Sequence, residues 1–301
     1  MNVLNEDTFS FFNNKSNLNY FGDWINNIDY YKHEFNNKLE GLDNKFVVID
    51  KFLNDNIVNK ISDTFPEDYN NKNWFYYENP LEVKYLNSSI NTYPEKIKNL
   101  YYILSTDYMV NIFSQITDIK DLEYDTTLYG SSIQSMPRYG RLNLHLDYEK
   151  HPLLKNKERR LNIILYLNKT WKDEWNGDTE LWNTCVAKCV MSQKIKYNSA
   201  IIFETNNTSW HGVPKKIMCP DNMSRKTLAY YYISPLTKKS INCKNKYGAD
   251  ENGYRNKASF ISRPSDKYKE ELERLYKIRP TRRITKKDME DIWPEWNKIE
   301  Y

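Results

Sequence analysis

Hydrophobic and polar residues alternate along the middle of the chain, from about residue 122 to residue 234. Alternation with a period of two is typical of strands that bury one face. Turn-forming residues such as Pro137 and Asn176-Gly177-Asp178 separate the alternating stretches. The pattern predicts six strands, at 127–136, 140–148, 159–168, 178–184, 199–205 and 226–234. Closely spaced strands with few helices between them are typical of a sandwich or jelly roll.

The parts of the chain on either side follow a helical period. A short apolar strand at 46–50 leads into a helical stripe, with Asn54 or Asp55 as the N-cap and Pro66 as the stop. The predicted helical segments lie within 51–65, 93–117, 265–277 and 286–293. We therefore expect a mainly β protein with flanking helices (α+β) and a jelly-roll core.

The two changes of pattern divide the chain into three parts. Residues 1–121 form a predicted α/β extension, residues 122–236 the β core, and residues 237–301 a loop and helical extension. Because neither boundary carries a low-complexity linker, we expect the extensions to pack on the core as one integrated domain.

Composition narrows the class of protein. The chain has 301 residues, of which 40% are hydrophobic, so it can bury a sizeable core. The net charge of +4 is too mild to predict nucleic-acid binding. No window approaches the roughly 18 apolar residues that a membrane span needs, and the N-terminus lacks the features of a secretory signal. Abundant Asn, Lys, Ile and Tyr indicate an AT-rich genome, which is typical of some viruses.

The cysteines suggest a reducing compartment, because four are few for this length. We therefore expect a cytoplasmic protein, located in the host cytoplasm if the gene is viral. Cys185 and Cys189 could begin a zinc site, but Cys219 and Cys243 form no second pair, so ordinary thiols are favoured.

Candidate chemistry begins on the strand at 140–148. If this stretch is extended, His145 and Asp147 point the same way, away from Leu144 and Leu146. The pair alone could be the polar face of a half-exposed strand. His211, which follows an apolar strand, is a possible third ligand. If the strands form a jelly roll, they bring the chain back so that His211 lies opposite His145. Two histidines and one carboxylate are the ligands of non-haem Fe(II) oxygenases.

The other two histidines fit this site less well. His33 lies in a polar helical stretch and is expected at the surface, and His151 precedes a proline and is expected in a turn. A 2-oxoglutarate co-substrate would also need a cation in the barrel. Arg225 and Thr227 share one strand face and could together bind a carboxylate. The alternatives are a solvent-exposed arginine here and a co-substrate cation at Lys226 or Arg141.

Residues 127–234 resemble the double-stranded β-helix (jelly-roll, cupin-like) core of Fe(II)/2-oxoglutarate-dependent oxygenases, in particular the prolyl 4-hydroxylase-like group. The matching elements are His145-Leu146-Asp147, the strand at 163–171, and residues 177–181, 210–214 and 225–228. The resemblance implies that His145, Asp147 and His211 are the catalytic iron ligands. It further implies that Arg225 and Thr227 bind the C5 carboxylate of 2-oxoglutarate, and that Tyr166 adds a hydroxyl unless it is only a core aromatic.

This resemblance implies hydroxylation of an aliphatic C–H bond with Fe(II), 2-oxoglutarate and O2, supported by ascorbate. A prolyl residue in a peptide or protein is the first candidate substrate, and a free amino acid, a sugar or a nucleotide is the alternative. A non-catalytic cupin-like binding module, a metal-dependent isomerase and a three-histidine dioxygenase are the competing functions. The aromatic-rich loops expected at 71–80 and 169–178 could line a substrate site or simply pack.

Overall fold

The computed structural model describes residues 15–37, 39–237 and 254–298. Within this part of the chain the α-helices are α1 Ile28–Asn36, α2 Asp55–Asp63, α3 Glu95–Leu104, α4 Asp107–Thr117, α5 Lys269–Ile278 and α6 Lys286–Ile292. The strands are β1 Phe46–Ile49, β2 Phe75–Asn79, β3 Glu82–Asn87, β4 Glu123–Tyr124, β5 Ser132–Pro137, β6 Arg141–Leu146, β7 Lys157–Tyr166, β8 Thr179–Trp182, β9 Cys189–Gln193, β10 Ala200–Glu204, β11 His211–Val213, β12 Ser224–Pro235 and β13 Ser259–Phe260. No helix among these residues is long and apolar enough to cross a bilayer.

All these strands belong to one antiparallel sheet. Its order is β1-β10-β7-β12-β5-β3-β6-β11-β8-β9, with β13 on β6, β2 on β3 and β4 on β12. Strands β6 and β7 follow each other in the chain, yet β3, β5 and β12 lie between them in the sheet. Residues of β6 and of β7 nevertheless line the same cavity, so the sheet curls over and encloses it.

The main hydrophobic core lies between this sheet and the N-terminal helices. On β7, Leu161, Ile163 and Leu165 pack in a cluster with buried side chains of α2, α3 and α4. The intervening residues Asn162 and Ile164 face the cavity on the opposite side of the strand. The period-two alternation in the sequence is therefore the division between a helix-covered face and a cavity face.

Most of the predicted elements are confirmed, with shifted ends. The strand predicted at 127–136 begins only at Ser132, because the preceding residues form a turn in which the Asp125 carboxylate accepts hydrogen bonds from the backbone N–H groups of Thr127 and Tyr129. Helix α2 begins as expected, since the side chain of Asn54 accepts a hydrogen bond from the Asn56 N–H. The short strands β9, β11 and β13 were not predicted.

The expectation of a loop at 71–80 is wrong for its second half. Phe75–Asn79 is strand β2, and it pairs with β3 through a two-residue connection in which Asn79 lies opposite Glu82. The Asn79 side chain accepts hydrogen bonds from the N–H groups of Leu81 and Glu82, which stabilises the turn. In the other aromatic-rich stretch, 169–178, the rings of Trp171 and Trp175 pack edge to face, with their centroids 5.5 Å apart.

The C-terminal helices form a second hydrophobic cluster against the other half of the sheet. Leu272 and Leu275 of α5 pack there with Leu142, Val213 and Phe260. Helix α6 begins with a capping box between Thr285 and Asp288. The division into three segments at 121 and 236 stays a prediction, although the main core combines residues of the first two segments.

Candidate metal centre

The two predicted histidine ligands lie side by side on neighbouring strands. Strand β11 pairs antiparallel with β6, and His211 is directly opposite His145. Their ring centroids are 4.3 Å apart. Leu144 and Leu146, on the other face of β6, are buried in a separate hydrophobic cluster. The strand alternation and the antiparallel register thus bring together residues that are 66 positions apart in the sequence.

Both imidazole rings are held in one tautomer by backbone carbonyls. The Nδ1 of His145 lies 3.0 Å from the Asn143 carbonyl oxygen, and the Nδ1 of His211 lies 2.8 Å from that of Ser209. Because a carbonyl oxygen only accepts hydrogen bonds, Nδ1 carries the proton in each ring and Nε2 presents a lone pair. This carbonyl contact is the usual way in which metal-ligating histidines are oriented.

Asp147 completes a set of three ligand atoms. Its carboxylate oxygens lie 3.6 Å from Nε2 of His145 and 3.7 Å from Nε2 of His211, beyond normal hydrogen-bond length. The three possible ligand atoms all lie within 4.8 Å of one another. Two lone pairs and a carboxylate that face a common point without bonding each other fit a divalent cation, and this donor set suits Fe(II).

A buried arginine that the sequence analysis missed pairs with this carboxylate. Nη1 of Arg159 lies 3.1 Å from Oδ2 of Asp147, and the guanidinium is packed between the rings of Tyr148 and Tyr231, at 3.8 and 3.3 Å from their centroids. Simple alternation would place Arg159 with Leu161, on the helix-covered face. The register of β7 against β12 shifts by one residue at this point: Leu161 pairs with Tyr232, but the next residue of β12, Ile233, pairs with Arg159. This β-bulge turns Arg159 into the cavity.

The surroundings keep the carboxylate charged and the imidazole neutral. Burial alone would raise the pKa of Asp147, but the Arg159 guanidinium and the two histidines hold it well below its usual range. Burial, together with the neighbouring His145, lowers the pKa of His211 to about 4. Near neutral pH, His211 and Asp147 are therefore in the protonation states that a metal requires.

A second group of predicted residues lines the same cavity, from β12. Arg225 and Thr227 line it, and so do the three possible metal ligands. The volume of the cavity is about 550 Å³. Tyr166 does not line it; its hydroxyl donates a 2.6 Å hydrogen bond to Oγ1 of Thr179, which does. Thr179 belongs to the matching element 177–181, but the sequence analysis gave it no role in the site.

Arg225 is a buried cation with neutral partners. Only 2% of the residue is exposed. Its Nε donates to the Gly177 carbonyl oxygen at 2.8 Å and its Nη2 to Oγ1 of Thr179 at 2.9 Å. Burial lowers its pKa, and no carboxylate of the described residues lies within ion-pair distance. A buried charge without a counter-ion is costly, so this arrangement favours the binding of an anion.

The remaining candidates are placed elsewhere. His33 is exposed on α1, as expected. His151 is buried in the turn after β6; its Nε2 lies 3.0 Å from Oδ2 of Asp125, and its Nδ1 accepts hydrogen bonds from two backbone N–H groups. Lys226 points away from the cavity toward Glu67. Cys185 is exposed, and Cys243 lies outside the described residues.

Comparison with known proteins decides the class of this domain. Residues 132–233 match the model of the 2OG-Fe(II) oxygenase superfamily. These residues form a 2OG-Fe(II) oxygenase domain. The class predicted from the sequence, a 2-oxoglutarate-dependent dioxygenase, is confirmed. The family implies Fe(II) as the metal and 2-oxoglutarate and O2 as the co-substrates of the reaction. A search of curated protein sequences found no significant match.

Two solved structures are similar to this chain. A prolyl hydroxylase from Trichoplax adhaerens, in complex with a hypoxia inducible factor oxygen degradation domain peptide fragment, superimposes with a TM-score of 0.52 at 13% identity, covering 72% of this chain and 96% of that chain. A prolyl-4-hydroxylase from Pseudomonas putida gives a TM-score of 0.46 at 12% identity, covering 71% of this chain and 99% of that chain. The first similarity confirms the predicted double-stranded β-helix core.

Proposed function

We propose that this protein is a hydroxylase in which His145, Asp147 and His211 hold Fe(II), while Arg225 and Thr227 bind the C5 carboxylate of 2-oxoglutarate. One observation carries the proposal. A set of metal-ligand atoms and a buried arginine without a counter-ion line the same cavity. The oxygenase domain requires a metal and a dicarboxylate, and the presence of both groups of residues in one cavity supports the proposed position of each.

When bound, Fe(II) supplies the oxidation of an aliphatic C–H bond by O2, coupled to conversion of 2-oxoglutarate into succinate and CO2. The chain itself binds and orients. The carbonyls of Asn143 and Ser209 hold the two imidazoles with Nε2 toward the metal position. Arg159 keeps Asp147 ionised, and the fork of Arg225 matches the planar carboxylate of the co-substrate.

The walls between these charged groups are partly apolar. Ile164 and Ala229 line the cavity between the metal position and Arg225, on adjacent strands in which they lie opposite each other. Apolar walls exclude water and strengthen the electrostatic contacts that hold the co-substrate. Thr179, whose Oγ1 accepts a hydrogen bond from Nη2 of Arg225, is a further candidate for contact with the carboxylate.

A peptidyl prolyl residue is the substrate that we propose to test first. The prolyl hydroxylase of similar fold was solved with a peptide fragment bound. A free amino acid, a sugar or a nucleotide is the alternative. Ascorbate as a supporting reductant and a cytoplasmic location remain predictions; the latter rests on the low cysteine content.

The sequence alone left a cupin-like binding module without catalysis as a competing function. Loss of a metal ligand would favour it, but His145, Asp147 and His211 are all present and converge. Anaerobic titration with Fe(II) and then 2-oxoglutarate separates the two functions. We expect a weak visible charge-transfer band, followed in air by succinate formation. A binding module would form no succinate with any substrate mixture.

Matched histidine variants make this experiment specific. His211→Ala should lose Fe(II) binding, whereas His33→Ala, which removes an exposed imidazole on α1, should leave it unchanged. A mass-spectrometric search for products with one added oxygen atom, comparing wild type with His145→Ala in cell extract, would then identify the substrate. Equal metal binding by wild type and His211→Ala would refute the assignment of the ligands.

A further inference from the structure

The outer end of the cavity is surrounded by basic side chains. We define the cationic rim as Lys84, Lys257, Arg279, Arg282 and Arg283, all of which line the cavity that contains the metal ligands. They come from three separate places: β3, the segment before β13, and the segment that follows α5. Lys257, Arg282 and Arg283 are exposed, so the rim lies where the cavity meets solvent.

Acidic side chains offset only part of this charge. Glu82 is shared by Arg279, at 2.7 Å, and Lys84, at 3.4 Å. Asp288 pairs with Arg282 through two hydrogen bonds of 2.5 and 2.6 Å. The five cations of the rim are thus paired with two carboxylates of the described residues, which leaves the rim with a net charge of +3. This excess attracts anionic groups to the cavity entrance.

The rim cations are held in place. The Arg283 guanidinium stacks 3.8 Å over the ring of Phe75, and Arg279 lies between the rings of Tyr77 and Phe260, at 5.7 and 5.8 Å. Nζ of Lys257 donates to the Thr281 carbonyl oxygen at 2.6 Å. A guanidinium that stacks through its face keeps its N–H edge free for carboxylates, so little side-chain entropy is lost when one binds.

We propose that the cationic rim binds acidic side chains of a peptide substrate, on either side of the residue that enters the cavity. This inference rests on the proposed function, because it names the substrate class of the same site. The volume of about 550 Å³ lies within the range of about 300–1,000 Å³ that is typical of pockets for small molecules. Such a cavity holds the co-substrate and one substrate side chain, so the flanking residues of a peptide must lie outside, where the cations are.

The spread of the cations over three elements favours an extended ligand. A small anion would contact one part of the rim, whereas a peptide that crosses the entrance contacts both the β2–β3 hairpin and the segment after α5. Aromatic side chains of the hairpin and of β13, Tyr77 and Phe260, lie among the cations and offer apolar contact to the peptide. Acidic residues in this setting gain attraction and are steered toward the site.

Two short fluorescein-labelled peptides test this proposal with the full chain. Each has a central proline; one carries Asp and Glu on both sides, and the other carries Asn and Gln at the same positions. Fluorescence anisotropy would be measured at low and moderate salt, with and without Fe(II) and 2-oxoglutarate under nitrogen. We expect the acidic peptide to bind at least tenfold more tightly at low salt, and the difference to shrink as salt is added.

Charge-removing variants locate the binding surface. Arg283→Gln combined with Lys257→Gln should weaken binding of the acidic peptide by about 3- to 20-fold and leave the amide peptide unchanged. Arg274→Gln is the matched control, because Arg274 is exposed on α5 and does not line the cavity. The charge-transfer band with Fe(II) and 2-oxoglutarate should be the same in all of these proteins.

Each outcome decides one of the two proposals. Equal binding of the two peptides, no binding of either, or equal weakening by the control variant would overturn the acidic-peptide inference, even where the charge-transfer band forms. Absence of the band in wild type would overturn the proposed function, while the peptide comparison would still report on the rim. Displacement of the acidic peptide by a small dicarboxylate, with an affinity equal to that of the peptide, would overturn the inference and reassign the rim to a small anionic substrate.

Discussion

Replacing Arg225 separates binding of the co-substrate from binding of the metal. The side chain is buried, and its two hydrogen-bond partners, the Gly177 carbonyl and Thr179, are neutral. Arg225→Met removes the charge but keeps most of the volume. In the free protein the lost hydrogen bonds and the relieved desolvation oppose each other, so we expect the free energy of unfolding to change by no more than about 2 kcal/mol.

Binding of 2-oxoglutarate should change far more. Removing one partner of a buried, hydrogen-bonded charge pair costs about 2–5 kcal/mol, or roughly 30- to several-thousand-fold in Kd. Arg225→Lys should fall between wild type and Arg225→Met, because a point charge lacks the planar fork. Thr227→Val should cost about 1 kcal/mol, since it removes a single hydroxyl that lines the cavity.

Unfolding in urea with and without 2-oxoglutarate measures both effects in one assay. At a ligand concentration of about 100 times Kd, wild type should gain about 2.7 kcal/mol of unfolding free energy. A variant with a Kd raised about 30-fold should gain only about 0.9 kcal/mol at the same concentration, by the same relation. Calorimetric titration with Fe(II) under nitrogen would show that metal affinity is nearly unchanged.

Tight binding of 2-oxoglutarate by Arg225→Met would refute this reasoning. Arg159 would then be the alternative cation, because it lines the same cavity, whereas Lys226 pairs with Glu67. Loss of metal binding in Arg225→Met would also count against it, since Arg225 is not one of the three possible metal ligands.

Three further predictions concern the surroundings of the site. Gly130→Ala should destabilise the protein by about 1–3 kcal/mol, because φ at this position is +85° and an added Cβ would lie 2.3 Å from Nη2 of Arg159. It should also weaken metal binding, because Arg159 pairs with Asp147. Unchanged urea unfolding would contradict this prediction. The pKa of His211 is lowered to about 4 in the folded protein, so between about pH 6.5 and pH 4 the unfolded chain binds this proton and the folded chain does not. The free energy of unfolding of the metal-free protein should therefore fall by up to about 1.4 kcal/mol for each pH unit over this range. Urea unfolding over this range checks the slope, which should be shallower in His211→Asn. Burial raises the pKa of Cys189 to about 11, so iodoacetamide should modify the exposed Cys185 faster than Cys189. Peptide mapping checks this, and equal rates of modification at the two cysteines would contradict it.

Alternation in the sequence was sufficient to predict the central strands and one face of the site. His145 and Asp147 are two residues apart, and a period of two predicts that they face the same way; in the structure β6 ends at Leu146, and both residues line the cavity. His211 required more, because its place opposite His145 depends on the pairing of β11 with β6. The prediction of a jelly roll supplied that pairing, since the intervening strands return the chain to its starting edge.

Sequence patterns failed where local rules are broken. Arg159 enters the cavity only because a bulge shifts the register of β7 by one residue, and alternation alone predicts the opposite face. The hairpin of β2 and β3 was missed because four consecutive aromatic residues, from Trp74 to Tyr77, hide any alternation at its start. Both failures occur at the cavity, where Arg159 and Tyr77 are lining residues.

The charges around the site imply that its two ligands bind cooperatively. Asp147 and Arg159 offset each other beside the histidines, whereas Arg225 has no anionic partner among the described residues. A divalent cation adds two positive charges to this excess of one, and a dicarboxylate removes two. Each ligand therefore lowers the electrostatic cost of the other in a cavity of low dielectric constant. Because such coupling is reciprocal, 2-oxoglutarate should tighten metal binding by the same factor by which the metal tightens 2-oxoglutarate binding.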